Sequence, residues 1–356
     1  MASLADISSR AGVSIATASR VLNGSAHPVS AAMRQRVLDA AAEVGYAPSF
    51  VARALVKGRT PIVGVILGDI VDPYFAEIAR GVEDVAGRKG YLTMLSSAHR
   101  STEAEISHVR ALRAYQATGV IFASSGFIND AHREELQRCL DEARDGGAKV
   151  VALAHRELDC PTVTFDNRGA AYDVTDYVIS LGHRRIAFVD GPEGLYTSRE
   201  RRDGFEAAMR AADLDPDLRF EGGFEYEAGY ETARRIAAGR LPEAIVAVND
   251  DVGIGLLMGL RDAGVDVPGT VSVAGIDDTR PARYVGLTTV SAPLHELGIT
   301  AAGMVLSDDD DATATRDVVL PHRLTPRSTT ARRRARARAG ATRRRAAARR
   351  GAAAGR

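Results

Sequence analysis

Two stretches of this 356-residue chain have side chains suited to chemistry. The first is AGVSIATASRVLNG, residues 11–24. At 100° per residue, Ala18, Val21 and Leu22 fall on one side of a helix, and Ile15, Ala16, Ser19, Arg20 and Asn23 on the other. The second face is compact, with one guanidinium. Small side chains let a helix start enter a groove about 12 Å wide, where an Arg can fork onto guanine and apolar groups can touch thymine methyls. The hydroxyls of Ser14, Thr17 and Ser19 suit phosphates. The same stretch could also simply close a small helical core with a solvated outer face.

The second is a scatter of planar polar and aromatic residues at the ends of apolar runs. Open parallel sheets place ligands there, and such groups fork onto neighbouring hydroxyls or stack on C–H surfaces. Covalent chemistry has less support. There is no P-loop, and GIGLLMG puts its glycines in a helical segment rather than a strand-to-helix turn. No GxSxG elbow occurs, and His183 in LGHRR reads as a turn residue. No set of His, Asp and Glu has metal spacing, and Cys139 and Cys160 fit neither a metal site nor a disulfide framework. The chain therefore reads as a binding protein without cofactor or metal.

The elements that must carry these residues differ along the chain. Residues 1–47 read as three short helices. Ser3 with Asp6 is a capping-box pattern, Gly12 marks a turn, and Ser14 and Ser30 can cap the second and third helices. The third carries Val37, Leu38, Ala41 and Val44 as its apolar positions. Residues 48–60 are a linker in which Val51, Ala52 and Leu55 form an apolar stripe too short for a stable isolated helix. Leu55 beside Arg53, Lys57 and Arg59 matches an apolar wedge flanked by phosphate contacts. From Pro61 the texture changes: the runs IVGVIL, GVIFAS, KVVALA, RIAFVD, AIVAVN and VSVAGI alternate with helical segments. This is the rhythm of parallel sheets covered by helices on both faces, enough for two lobes.

Charge follows the same divisions. Residues 1–60 hold 7 bases and 3 acids, residues 61–330 hold 28 bases and 43 acids, and residues 331–356 hold 11 arginines and no acid. A basic head, acidic body and basic tail put any polyanion at the ends. The tail, Arg/Ala-rich without an apolar face, reads as disordered. The start lacks a secretory h-region and no apolar run is long enough to span a bilayer, so a cytoplasmic location away from the membrane is expected.

The ordered segments LADISSRAGVSIATASRVLN, VSAAMRQRVLDAAAEVGYAPSFVARAL, GVILGDIVDPYFAEIARGVEDVAGRKGY, DNRGAAYDVTDYVISLGHRRIAFVDGP, SRERRDGF, VNDDVGIGLLMGLRDAGVDVP, SVAGIDDTRPARY and LTTVSAPLHELG resemble the lac/gal repressor (LacI/GalR) family over roughly residues 3–330. The resemblance implies a helix-turn-helix headpiece, a hinge, and an α/β two-lobed periplasmic-binding-protein-like effector domain. Lobe 1 is expected at about 61–160 plus 292–320, and lobe 2 at about 161–291 plus 321–330. It implies a homodimeric transcriptional regulator, in most cases a repressor, on a near-palindromic double-stranded operator, controlled by a small sugar-like effector held between the lobes. Ile15 and Ala16 then hold the principal base-reading positions and Arg20 the third, with Ser14, Thr17, Ser19 and Asn23 nearby and Val51, Ala52 and Leu55 at the hinge.

For the effector, the resemblance implies Asp72, Tyr74, Phe75, His155 and Arg156 on the first lobe, and Arg201, Phe224, Asn249 and Asp277 on the second. Each has a plainer alternative. Tyr74 and Phe75 could be core aromatics, Asn249 could cap the helix starting at Asp250, Asp277 could form a turn, and Arg201 could be a solvated helix charge. Three positions depart from the family: Ala18 where Val is usual, His155 where Asp is common, and Asp72 where Asn is common. An imidazole in place of a carboxylate exchanges acceptors for a donor and an acceptor. A carbohydrate or nucleoside-like ligand is the expectation.

Overall fold

The computed structural model describes residues 3–22, 28–45, 58–307 and 317–333. Asn23, Val51, Ala52, Leu55 and most of the tail lie outside the described residues.

The N-terminal part holds α1 (Leu4–Ala11), α2 (Ile15–Leu22) and α3 (Ala31–Glu43). Ser3 and Asp6 form the capping box that opens α1, and Gly12 ends it at φ 63°. Ser30 accepts from the Met33 amide to open α3. Ile7, Ala11, Ala18, Val21, Val37, Ala40 and Ala41 make one small core. Leu38 departs from expectation: it is 44% exposed, because the α3 face that meets the other helices runs through Val37, Ala40 and Ala41.

The chain continues through β1 (Thr60–Leu67), α4 (Pro73–Arg88), β2 (Leu92–Ser97), α5 (Thr102–Ala114), β3 (Ala117–Phe122), α6 (Arg133–Asp145), β4 (Lys149–Ala152) and β5 (Val163–Phe165). Then come α7 (Asn167–Ser180), β6 (Ile186–Val189), α8 (Tyr196–Ala211), β7 (Arg219–Phe220), α9 (Tyr226–Ala237), β8 (Ala244–Ala247) and α10 (Asp250–Asp262). The last elements are β9 (Ser272–Asp277), α11 (Arg280–Val285), β10 (Thr288–Ser291), α12 (Leu294–Val305), β11 (Val318–Leu320) and β12 (Arg323–Thr325).

These residues group into two units. The first comprises Met1–Val71, Phe75–Thr164 and Leu294–Val318, the second Asp72–Tyr74, Phe165–Pro293 and Val319–Arg356. The first unit's main sheet is parallel, in the order β2-β1-β3-β4. The second has six strands in the order β12-β10-β9-β8-β6-β7, parallel except for β12, which runs antiparallel to β10. Strands β6 and β8 are buried at every position, as a sheet covered on both faces requires.

Close helix contacts set where the polar side chains go. A methyl on Gly204 would lie 2.1 Å from the Arg168 carbonyl oxygen, so only glycine lets α8 pack this tightly on α7. His183 stands in the helix-to-strand turn between α7 and β6, as expected, and its side chain is buried there: Nε2 lies 2.9 Å from the Ala331 carbonyl and 3.1 Å from Ser272 Oγ. It ties residue 331, past the end of β12, to the start of β9.

Candidate functional site

In the headpiece, α2 is amphipathic as its sequence implies. Ala18 and Val21 are buried, while Ser14, Ile15, Ala16 and Arg20 are exposed. Ile15 is 54% exposed, so its apolar side chain is open on this face. Thr17 and Ser19 are half-buried. The Ser14 hydroxyl accepts from the Thr17 amide at 3.1 Å and shares a 2.8 Å hydrogen bond with the Thr17 hydroxyl, so it caps α2 while remaining exposed. Arg20 has no acidic partner among the described residues. Arg10 and Glu43 pair at 2.9 Å, joining α1 to α3.

The second unit gathers Arg201, Asp277, Asn249, Phe224, Asp72 and Tyr74. Arg201 lies on α8 and is 2% exposed. Its Nε donates to Asn167 Oδ1 (2.9 Å), Nη1 to the Val248 carbonyl (2.7 Å) and Nη2 to Asp277 Oδ1 (2.8 Å). That three-way hold excludes a solvated helix charge. Asn167 was not foreseen, although it stands in the DNRG segment that carried the resemblance. Asn249 caps α10, accepting from the Val252 amide at 3.0 Å, and its Nδ2 donates to the Phe224 carbonyl at 2.9 Å. Asn249 thus takes the capping role that the sequence offered, opening α10, and the same side chain holds Phe224, which is half-buried.

Asp277, the last residue of β9, has φ 128°, a region that favours glycine. Burial raises its carboxyl to about pKa 6, against the opposing pull of Arg201. Asp250 lies beneath it, fully buried, and accepts from the Thr289 hydroxyl (2.6 Å) and the Thr279 amide (2.8 Å). Burial, then Asp277, raise its pKa well above the ordinary range. Asp251, next on α10, is raised to about 7 by burial and then by Asp72 and Asp277. Asp72 Oδ1 accepts from the Tyr74 amide at 2.9 Å. Asp72 and Tyr74, expected on the first lobe, belong by their contacts to the second unit. Burial, then Asp277, raise the Tyr74 phenol.

In the first unit Phe75 is buried, and a methyl on Gly68 would stand 2.7 Å from its ring. It fills the end of β1 as a core aromatic does. His155 is exposed. Arg156 is turned inward: Nη2 donates to Glu105 at 2.7 Å with both side chains 4% exposed, and the guanidinium lies 4.7 Å over the Phe122 ring. Glu105 also accepts from the Ser124 hydroxyl at 2.9 Å. Glu105 escaped the sequence reading because an acid on an amphipathic helix looks solvated.

The second unit's arrangement is a fixed polar platform, with every nitrogen of Arg201 already aimed. Among the described residues no cluster of His, Cys, Asp and Glu could hold a metal ion. No helix among them is long and apolar enough to cross a membrane.

Residues 3–49 match the family described as bacterial regulatory proteins, lacI family, and residues 175–330 match the periplasmic binding protein-like domain. The catabolite control protein A of Priestia megaterium is 32% identical over 334 residues, 91% of this chain and 98% of that protein. The HTH-type transcriptional repressor CytR of Escherichia coli (strain K12) is 32% identical over 311 residues, 86% of this chain and 89% of that one. Among solved structures, the lac repressor dimer bound to operator and the anti-inducer ONPF has a TM-score of 0.80, covering 93% of this chain and 99% of that chain; at 24% identity the likeness is one of fold. A transcriptional regulator CelR–cellobiose complex has a TM-score of 0.65 at 30% identity, covering 92% of this chain and 100% of that one.

Proposed function

The chain belongs to the lacI family of bacterial regulatory proteins, and on that footing we propose that it is a repressor whose hold on a near-palindromic operator is set by a small carbohydrate or nucleoside-like ligand. As a family member it is a DNA-binding transcriptional regulator, and the family is one of regulators rather than enzymes. The working division is a headpiece at 1–47, a hinge at 48–60, an effector and dimerisation domain at 61–330 and a tail at 331–356.

On the DNA side, Ile15, Ala16 and Arg20 read bases, with Ser14, Thr17, Ser19 and Asn23 beside them and Leu55 as the hinge wedge. On the ligand side, the observation that carries the reading is the three-way hold on Arg201 by Asn167, Val248 and Asp277. A buried guanidinium fixed this firmly presents constant geometry, which is what recognition of hydroxyl-rich molecules needs. Phe224 supplies a stacking face positioned by Asn249. Asp72 and Tyr74 add polar groups, and His155, Arg156 and Phe75 are the first unit's candidates. The CelR–cellobiose complex lends the carbohydrate class support from a relative.

The test is binding-site enrichment on a genomic DNA library, alone and with a panel of sugars and nucleosides. A palindromic motif whose recovery changes with one of these compounds supports the proposal. No sequence-specific enrichment removes the operator reading, and enrichment indifferent to every compound removes the ligand class.

A further inference from the structure

The charge around Arg201 in the second unit is one-sided. The guanidinium nitrogens are already spent on Asn167, Val248 and Asp277. The neighbouring ionisable groups are acids. Asp277 closes β9, and Asp251 lies in the first turn of α10. Glu225 immediately precedes α9, and Glu227 lies in its first turn. These two helix starts are pressed together: a methyl on Gly229 would lie 2.1 Å from the Val252 carbonyl oxygen, and one on Gly255 2.1 Å from that of Tyr226. An acid in a first turn ordinarily gains from the helix dipole, which holds its carboxyl low. Asp251 goes the other way. Burial, then Asp72, Asp277, Glu227 and Glu225, raise it to about 7. These carboxyls oppose one another's ionisation, as acids that share a site do.

A second feature lies beside them and is independent of their charge. Ser198, in the first turn of α8, is 1% exposed, and its Oγ has no hydrogen-bond partner among the described residues. It stands next to the Phe224 ring at Gly191, where a methyl would come 2.5 Å from Ser198 Oγ and 2.9 Å from a ring carbon. The Phe224 carbonyl is held in turn by Asn249 Nδ2, at the start of α10. A buried hydroxyl without a partner is costly, and a polar group of a ligand at Phe224 would satisfy it.

We propose that the ligand of this platform is an amino sugar, with its ammonium between Asp72 and Asp251, its ring against Phe224 and a hydroxyl on Ser198. This rests on the carbohydrate reading above and narrows it. Carboxylates favour an ammonium through charge-assisted hydrogen bonds, and an aromatic face adds the attraction of its ring for a cation. A phosphorylated sugar would meet the same acids as repulsion, with Arg201 already committed to protein partners.

The test titrates the full chain calorimetrically at neutral pH with matched sugars. Glucosamine, galactosamine and glucosamine oligosaccharides are set beside glucose, galactose and gluco-oligosaccharides, the N-acetyl forms of each amino sugar, and a set of nucleosides. At least one amino sugar should bind about tenfold more tightly than both its neutral and its N-acetyl counterpart. Asp251→Asn should bring amino and neutral forms within about twofold of each other, a change of ratio that a purely structural loss would not produce. A neutral sugar binding as tightly as its amino counterpart overturns the proposal and leaves the carbohydrate reading standing. So does a nucleoside that binds where no amino sugar does, and so does an amino-sugar preference that survives in Asp251→Asn. The parent's ratio can refute the proposal without any variant having to fold. Binding by no sugar and no nucleoside removes the ligand class first and this proposal with it.

Discussion

If α2 reads bases as proposed, Ile15 and Ala16 offer no hydrogen-bonding side chain, and the polar part of the reading falls to Arg20, exposed on the same helix. Arg20→Ala should weaken operator binding by about 1–3 kcal/mol and relax one base position in each half-site. Binding-site enrichment on the variant checks this, and an unchanged motif would refute it. A second residue-scale prediction concerns Asp251, whose carboxyl is raised from 3.8 to about 7 by burial and neighbouring acids. A raised carboxyl keeps a proton in the folded chain that the unfolded chain releases. Its contribution to stability is thus fully present below the unfolded pKa and is lost as pH rises through the folded one. The advantage of Asp251→Asn over the parent should be near zero at about pH 4, grow with pH, and level off above about pH 7. Thermal midpoints across that range read it at roughly 2–4 °C per kcal/mol; parallel curves would mean that Asp251 titrates normally.

Ser14 shows how an element divides a residue's work. Its hydroxyl caps α2 through the Thr17 amide, so Ser14→Ala should lower headpiece stability by about 1 kcal/mol. Thermal melts of the variant without DNA measure that loss, and an unchanged melt would show that the hydroxyl is free for a phosphate. The caps at Ser3, Ser14 and Ser30 were legible because capping depends on residues three apart. The six apolar runs were legible as β1, β3, β4, β6, β8 and β9 because a strand covered on both faces needs unbroken apolar sequence. Edge strand β2 was not, since Leu92 and Leu95 are exposed and its pattern is mixed. The threonines of β10 hid it as well: their hydroxyls are spent on Asp250 and Thr330, partners distant in sequence. Leu38 misled for the opposite reason, because helical spacing identifies an apolar stripe but not which edge of it the neighbouring helices cover.

At the scale of the whole molecule, the candidate site was legible as residue types and not as a division of labour. Arg201, Asp277 and Asn249 in the second unit and Arg156 in the first stood out because motifs carried them, but Asn167 and Asp250 in the second and Glu105 in the first, which hold them or their neighbours in place, are visible only once the chain folds. These supports fix the polar platform of the second unit, whereas the proposed base-reading residues lie far away in sequence, on α2. If one ligand controls operator binding, the two are joined by a coupling free energy, and coupling is reciprocal. A ligand that weakens operator affinity by a given factor, commonly about 5- to 150-fold, must itself bind the operator complex more weakly by that factor. A ligand that tightens operator binding must bind the complex more tightly by the same amount. Isothermal titration of the ligand into free and operator-bound protein, beside operator titrations with and without ligand, gives both factors. Arg201→Met should abolish the ligand arm while leaving operator affinity without ligand close to that of the parent, since Arg201 lies in the second unit and not in the headpiece. Two unequal factors would mean that ligand and operator were acting on different populations of the protein, and would remove ligand control of the DNA-binding state as the mechanism.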